Sequence, residues 1–215
     1  MSRRAELKEN VLAAQLEGVI GWATNNWRIL AGVAGAVAAG LLVLSVVVLR
    51  NQQRREQNTT TLAQAQQLIG QKKYDDAIKI LDQIRSQPAN NNLFALATYY
   101  RGVAALETKN NDDAIRFFSE ASERSVNSPL RPIALSNLGF AYEQKKDMEG
   151  AARVYGDFVA HYSDHFLAPR IQLALGRTLL AAGKNDDGRK ALSQLIDLYP
   201  TSEWADAARS LMDKK

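Results

Sequence analysis

At 215 residues, with a formal net charge of +4 and no cysteine, the chain is long enough for one well-buried domain plus a separate element. The missing thiols exclude disulfides, thiolate catalysis, Cys-based zinc sites and an acylated lipoprotein cysteine. The excess charge belongs to residues 1–57, which hold seven Lys+Arg against four Asp+Glu; residues 58–215 mix both signs along their length, which disfavours a nucleic-acid surface.

Residues 1–28 read as an amphipathic tail. Leu7, Val11, Leu12, Leu16, Val19 and Ile20 recur at helical spacing, with Glu6, Lys8, Glu9, Gln15 and Glu17 mostly on other faces. Three acids among its charges argue against anionic lipid and for a partner or simple interfacial packing.

Ile29 to Leu49, "ILAGVAGAVAAGLLVLSVVVL", is 21 residues without a charge, bracketed by Arg28 and Arg50. A helix of that length covers about 30 Å, the hydrocarbon thickness of a bilayer. Trp22 and Trp27 precede it, where indole rings favour the headgroup level. No small-x-small cleavage site follows, so an uncleaved transmembrane anchor is expected rather than a secretory signal. Gly32, Ala36 and Gly40 recur every four residues, as do Gly35 and Ala39. That spacing lets a second helix approach closely, in a homodimer or on a partner's helix, although Gly and Ala are common in membrane helices anyway. Four Lys/Arg before the span and three just after leave its orientation balanced.

Residues 50–58 form a polar linker, and a periodic domain occupies 59–215. Three Asp-Asp pairs, Asp75-Asp76, Asp112-Asp113 and Asp186-Asp187, stand in similar contexts, and Asp147 and Glu149 supply the charge between the last two. The small residue after each acidic turn is Ala77, Ala114, Ala151 or Gly188, every 37 residues, and twelve residues earlier lie Ala65, Gly102, Gly139 and Gly176. Such a register predicts four hairpins of two helices, with the small residues permitting close crossing inside each hairpin. A single hairpin leaves an apolar face bare, so the four must stack. After Pro200, "TSEWADAARSLMDKK" predicts one helix N-capped by Thr201 or Ser202, with Trp204, Ala208, Leu211 and Met212 closing the stack.

Paired carboxylates can bind metal or share a proton. Here each pair falls in the first turn of a second helix, where an acid interacts with the positive end of the helix dipole for about 0.3–1 kcal/mol. Successive pairs are one repeat apart and cannot converge, so they are architecture. His161 and His165, with Asp164, have the residue types of a zinc site, but the register puts them at a helix end and in the following joint. No Gly-rich phosphate loop or activated serine is found. The expectation is a non-enzyme with no cofactor, no metal and no small-molecule substrate, whose partners are proteins or polypeptides.

The repeats resemble the tetratricopeptide repeat. "LSNLGFAY" with "GAARVYGDF" carries Leu138-Gly139, Tyr142, Ala151, Tyr155 and Phe158, and the last repeat carries Leu175-Gly176, Leu179, Gly188, Leu192, Leu195 and Pro200. The resemblance covers roughly 58–200, with a period of 37 rather than the usual 34 and Gln64-Ala65 in place of Leu-Gly in the first repeat. It implies an all-α, right-handed solenoid of four helix hairpins plus a capping helix, preceded by one transmembrane helix. It also implies a concave groove lined by first helices: Leu62 and Gln66; Tyr99, Val103 and Leu106; Ser136, Asn137 and Phe140; Leu173 and Arg177. Such a groove is apolar and aromatic at its centre with one cation near the end, and it lacks the lysines of a terminal-carboxylate clamp. Whether Tyr99, Val103 and Phe140 are binding surface or inter-repeat core stays open at this stage.

Tail, anchor and repeats together resemble the bacterial inner-membrane family of the YfgM-type ancillary subunit of the SecYEG translocon, and the last repeats resemble periplasmic division-coordinator and outer-membrane-assembly proteins. These resemblances imply a single-pass inner-membrane protein with a periplasmic C-terminal domain. The leading expectation is a tethered, chaperone-like or envelope-assembly adaptor that binds polypeptides in its groove. The alternative is a structural subunit assembling through its membrane helix and repeats.

Overall fold

The computed structural model describes residues 20–86 and 91–213, so most of the amphipathic tail lies outside the described residues. Among the described residues the regular structure is helical, with no strand. Beyond a helical stretch at 20–25, the helices are α1 (Trp27–Gly70), α2 (Tyr74–Ser86), α3 (Asn91–Glu107), α4 (Asn111–Arg124), α5 (Leu130–Gln144), α6 (Met148–His161), α7 (Ala168–Ala181), α8 (Asn185–Leu198) and α9 (Glu203–Met212). The chain divides into two compact units between Gln57 and Asn58.

In the first unit, Trp27–Arg50 is a 24-residue stretch of helix with a mean hydropathy of 2.5, and none of its apolar window is buried among the described residues. Leu41, Leu42 and Val43 are each more than 60% exposed. A helix that is apolar all round has the length and composition to cross a bilayer. Gly32, Gly35 and Gly40 have open space where a Cβ would project. The polar stretch 50–58 is helical, because α1 runs on to Gly70.

The second unit is the expected stack. Leu62 and Ala65 of α1 share a core cluster with Leu81 and Ile84 of α2, then α3 packs with α4, α5 with α6 and α7 with α8, and α9 closes the end. The second helices α2, α4, α6 and α8 each bury one stripe, exemplified by Ala114, Phe117, Phe118 and Ala121 on α4. The first helices α3 and α5 lie between hairpins and bury residues around more of their circumference. The small positions are covered as the register requires: Ala65, Ala77, Ala114 and Ala151 are 0% exposed.

The close crossing has a different partner from the expected one. The large side chain four residues after each small residue sits over the first-helix glycine: Phe118 over Gly102, Tyr155 over Gly139 and Leu192 over Gly176. A Cβ on Gly102 would stand 2.8 Å from two Phe118 ring carbons. Each of the last three hairpins is therefore a knob pressed on a glycine, and the first carries Ala65 at that position.

The hairpin turns repeat the same backbone solution. Lys72, Lys109, Lys146 and Gly183, again 37 apart, have φ of 61°, 61°, 65° and 78°. At each turn the residue with positive φ donates to the carbonyl three back, and its successor donates to the carbonyl five back, as in Lys109 N to Leu106 O (3.0 Å) and Asn110 N to Ala105 O (2.8 Å). This is the Schellman end of an α-helix, in which left-handed φ suits glycine and strains lysine. Lys109→Gly is expected to stabilise the domain by about 0.5–1 kcal/mol and Gly183→Ala to destabilise it by about 1 kcal/mol, read as shifts in urea midpoint.

The acidic turns follow directly. Asn110 Oδ1 accepts from Asp113 N (3.3 Å) while its Nδ2 donates to Asp113 Oδ2 (2.9 Å), and Asp147 Oδ1 accepts from Gly150 N (2.8 Å). Asp112 also meets Lys145 of the next hairpin at 2.7 Å, and Glu149 meets Lys184 at 3.3 Å. These exposed pairs add little energy but line the turn edge with alternating charge.

Candidate functional site

The 37-residue register aligns Leu62, Tyr99, Ser136 and Leu173 along the first helices, and one turn later Gln66, Val103, Phe140 and Arg177. The structure divides this line into two parts. Leu62 is 6% exposed among Leu81, Ile84 and Ala97, with Gln66 half-buried beside it. Tyr99 packs against Phe118 (centroids 5.6 Å) and edge-on to Tyr100 (5.2 Å), and its hydroxyl accepts from Asn137 Nδ2 at 2.8 Å. Burial first, and neighbouring Tyr100 second, push that phenol up, while the Asn137 hydrogen bond works the other way. Val103 and Leu106 are half-buried against the same core. These residues chiefly join hairpins.

Between α5 and α7 the groove opens into a pocket of about 360 Å³. Five residues of the expected groove reach it: Ser136, Asn137, Phe140, Leu173 and Arg177. Ser136 and Leu173 are 4% and 6% exposed and form floor, whereas Phe140 is 43% exposed and Arg177 lies on the rim. The large apolar Phe140 thus presents its ring to solvent from within a concave wall.

Four lining residues that determine the chemistry were not among those expected: Glu143, Tyr155, Arg170 and Trp204. Tyr155, 2% exposed, donates its hydroxyl to Glu143 Oε1 at 2.6 Å, and Arg177 Nη2 donates to Glu143 Oε2 at 3.0 Å. Burial, then the hydrogen bond to Glu143 and its charge, push the Tyr155 phenol far up, so it remains a donor. Arg170, exposed and three residues into α7, donates through Nη2 to the Ser136 hydroxyl at 2.8 Å. Trp204 of α9 supplies an aromatic wall from outside the repeats. The groove therefore has two guanidinium groups at this end, where one was expected. Arg170 was legible at helical spacing from Leu173 and Arg177, Glu143 occupies the register position of Leu106, and Trp204 continues the series Leu93, Leu130 and Leu167 at 37-residue spacing.

His161 and His165 lie where the register puts them. His161 Nδ1 faces its own helix, 2.9 Å from the Asp157 carbonyl and 3.1 Å from its carboxylate, and His165 Nδ1 accepts from Leu167 N in the joint.

A helical solenoid with these hairpins can be compared with known proteins. A family model described as the SusR N-terminal TPR domain matches residues 48–156, about half of the chain, and the tetratricopeptide repeat model matches residues 171–202. The chain belongs to the tetratricopeptide repeat family. No curated protein matches it. Similar solved structures include a double mutant of MamA from RS-1, 16% identical with a TM-score of 0.58, covering 73% of this chain and 85% of that one. Another MamA crystal structure is 16% identical with a TM-score of 0.54, covering 69% and 84%. The nearly identical TPR-like repeats of a kinesin light chain from Podosopora anserina are 15% identical with a TM-score of 0.57, covering 70% and 81%. At these identities the likeness is one of fold. Tetratricopeptide repeats typically serve as protein-interaction scaffolds rather than catalysts, and the pocket lies on the first-helix side of this stack.

Proposed function

We propose that this tetratricopeptide protein is a membrane-tethered adaptor whose groove between α5 and α7 holds segments of other polypeptides. The observation that carries the reading is the exposed Phe140 ring inside the pocket. The uncovered apolar helix Trp27–Arg50 on the same chain supports the tether, which would confine the groove near a membrane and raise its effective concentration for neighbouring partners. The architectural resemblance to translocon-associated and periplasmic repeat proteins supports a bacterial inner-membrane location, with the repeats in the periplasm as a chaperone-like or envelope-assembly module. Protease treatment of intact spheroplasts tests that location: digestion of the repeats before lysis supports it, and full protection rejects it.

Binding is tested with a labelled, permanently unfolded model polypeptide and the full chain in non-ionic detergent. Phe140→Ser is expected to weaken capture at least about tenfold with helicity unchanged, because the ring contributes to the pocket rather than to the core. Capture equal to wild type would reject the groove. Tyr99 does not serve as a second probe, since a polar substitution there would unsettle its contact with Phe118.

A second reading is supported by the open space beside Gly32, Gly35 and Gly40, with Ala36 and Ala39 on the same uncovered helix: assembly through the membrane helix, in a homodimer or on a partner's helix. Gly32→Leu or Gly40→Leu should then lower the oligomeric mass in detergent, and an unchanged mass counts against this route.

A further inference from the structure

The groove changes chemistry along its length. Because the register is 37 residues, each lining residue between α5 and α7 has a counterpart between α3 and α5. Arg170 corresponds to Ile133, Arg177 to Phe140 and Glu143 to Leu106. By register, the earlier segment carries Val103, Leu106, Ile133 and Phe140, while the later one carries two guanidinium groups and one carboxylate.

These charges are not equivalent. Arg177 is held by Glu143, which also accepts from buried Tyr155, so that pair is internally balanced. Arg170 donates to a neutral serine hydroxyl, and among the described residues no carboxylate lies within salt-bridge distance of it. The pocket that Phe140 and Trp204 also line therefore carries one exposed cation with no carboxylate partner among the described residues.

We propose, resting on the groove reading above, that the preferred occupant is a polypeptide segment carrying an internal Asp or Glu beside a large apolar side chain. The carboxylate would pair with Arg170 and the apolar side chain would cover Phe140. A planar guanidinium with spare N–H groups suits a carboxylate in bidentate geometry. A partly enclosed pocket strengthens that pairing relative to open water. A single free cation fits one side-chain carboxylate better than a chain terminus gripped by several donors, because Arg177 is already engaged. Acidic character also separates this occupant from the merely apolar segments that the earlier part of the groove would accept.

The test uses fluorescence anisotropy of the full chain in non-ionic detergent with blocked peptides of about twelve residues, each with one Phe and one Leu flanking a central Glu, Gln or Lys. The expected order is Glu tightest, Gln about tenfold weaker and Lys weakest, with the Glu advantage shrinking as salt rises. Arg170→Gln should bring the Glu and Gln peptides within about twofold of each other; R170E should favour the Lys peptide. Equal binding of Glu and Gln peptides by wild type, or a gap that survives in Arg170→Gln, overturns the proposal. If both peptides bind equally and both are lost in Phe140→Ser, the carboxylate preference alone fails and the groove stands. If no peptide binds, or Phe140→Ser leaves all three unchanged, the groove reading fails with it. A Gln peptide that matches the Glu peptide only when its C-terminus is left free would move the carboxylate to a chain end and overturn the internal assignment.

Discussion

Gly139→Ala is expected to destabilise the repeat domain by about 3 kcal/mol, while Gly156→Ala, seventeen residues later on α6, should stabilise it by up to about 1 kcal/mol. Both glycines are helical, so alanine improves backbone propensity at either site and the difference lies in what the new methyl meets. At Gly156 nothing lies within 4 Å. At Gly139 the Cβ would press into the Tyr155 ring, with Cδ1 at 2.6 Å and Cζ at 2.7 Å. A ring is flat and stiff, and this one is 2% exposed with its hydroxyl bound to Glu143, so rotation would cost the hydrogen bond and a shift would open the hairpin. Urea denaturation followed by circular dichroism measures both variants. If Gly139→Ala is as stable as wild type, the knob-on-glycine contact is not what closes the third hairpin. A double-mutant cycle with Tyr155→Ala identifies the cause, because the double mutant should lose less than the sum of the two single losses once the ring is gone. The same substitution should weaken binding, since displacing Tyr155 frees Glu143 to rearrange about Arg177.

The hairpins were legible because stacking repeats one arrangement, with a glycine at the contact in three hairpins and Ala65 in the first. A large side chain over a glycine recurs by translation, and the turns that follow carry left-handed backbone at Lys72, Lys109, Lys146 and Gly183, so spacing alone locates every helix pair. The aspartate pairs were legible for the same reason. The polar stretch 50–58 read as a joint because it lacks apolar periodicity, yet a helix can be polar on every face, and α1 continues through it. The groove was half legible. Register identifies which residues lie on first helices but not how far the neighbouring hairpin covers them: Phe118 and Asn137 engage Tyr99, whereas the residues around Phe140 leave its ring exposed. Trp204 was expected only to close the stack, although it continues the register of Leu93, Leu130 and Leu167 and so falls on the same side as the first helices.

Removing that helix is the second large perturbation. Truncation after Pro200 is expected to reduce amide protection in α8 by about 100-fold or more, leave α3 and α4 nearly unchanged, and abolish peptide capture. Ala205 and Ala208 of α9 are 0% exposed, and Ala208, Trp204, Leu211 and Met212 pack on Leu173, Leu192 and Leu195. Ser202 fixes the start of the helix by accepting from Ala205 N at 3.2 Å, and Arg209 Nη2 reaches the Pro200 carbonyl at 3.3 Å. Without this cover the last hairpin exposes three leucines that are now at most 6% exposed, and in a solenoid each hairpin is supported only by its neighbours. The loss should therefore be graded along the stack, and uniform loss across α3 to α8 would show that the domain unfolds as one unit instead. Trp204→Ala separates the two roles of the cap. It keeps the buried alanines in place, so protection in α8 should change by less than about tenfold, while peptide affinity should fall about tenfold with the loss of the wall beside Arg170. Hydrogen exchange and anisotropy on the same samples decide the matter: if affinity falls only where protection also falls, Trp204 acts on the groove through stability, and its place in the pocket contributes nothing of its own.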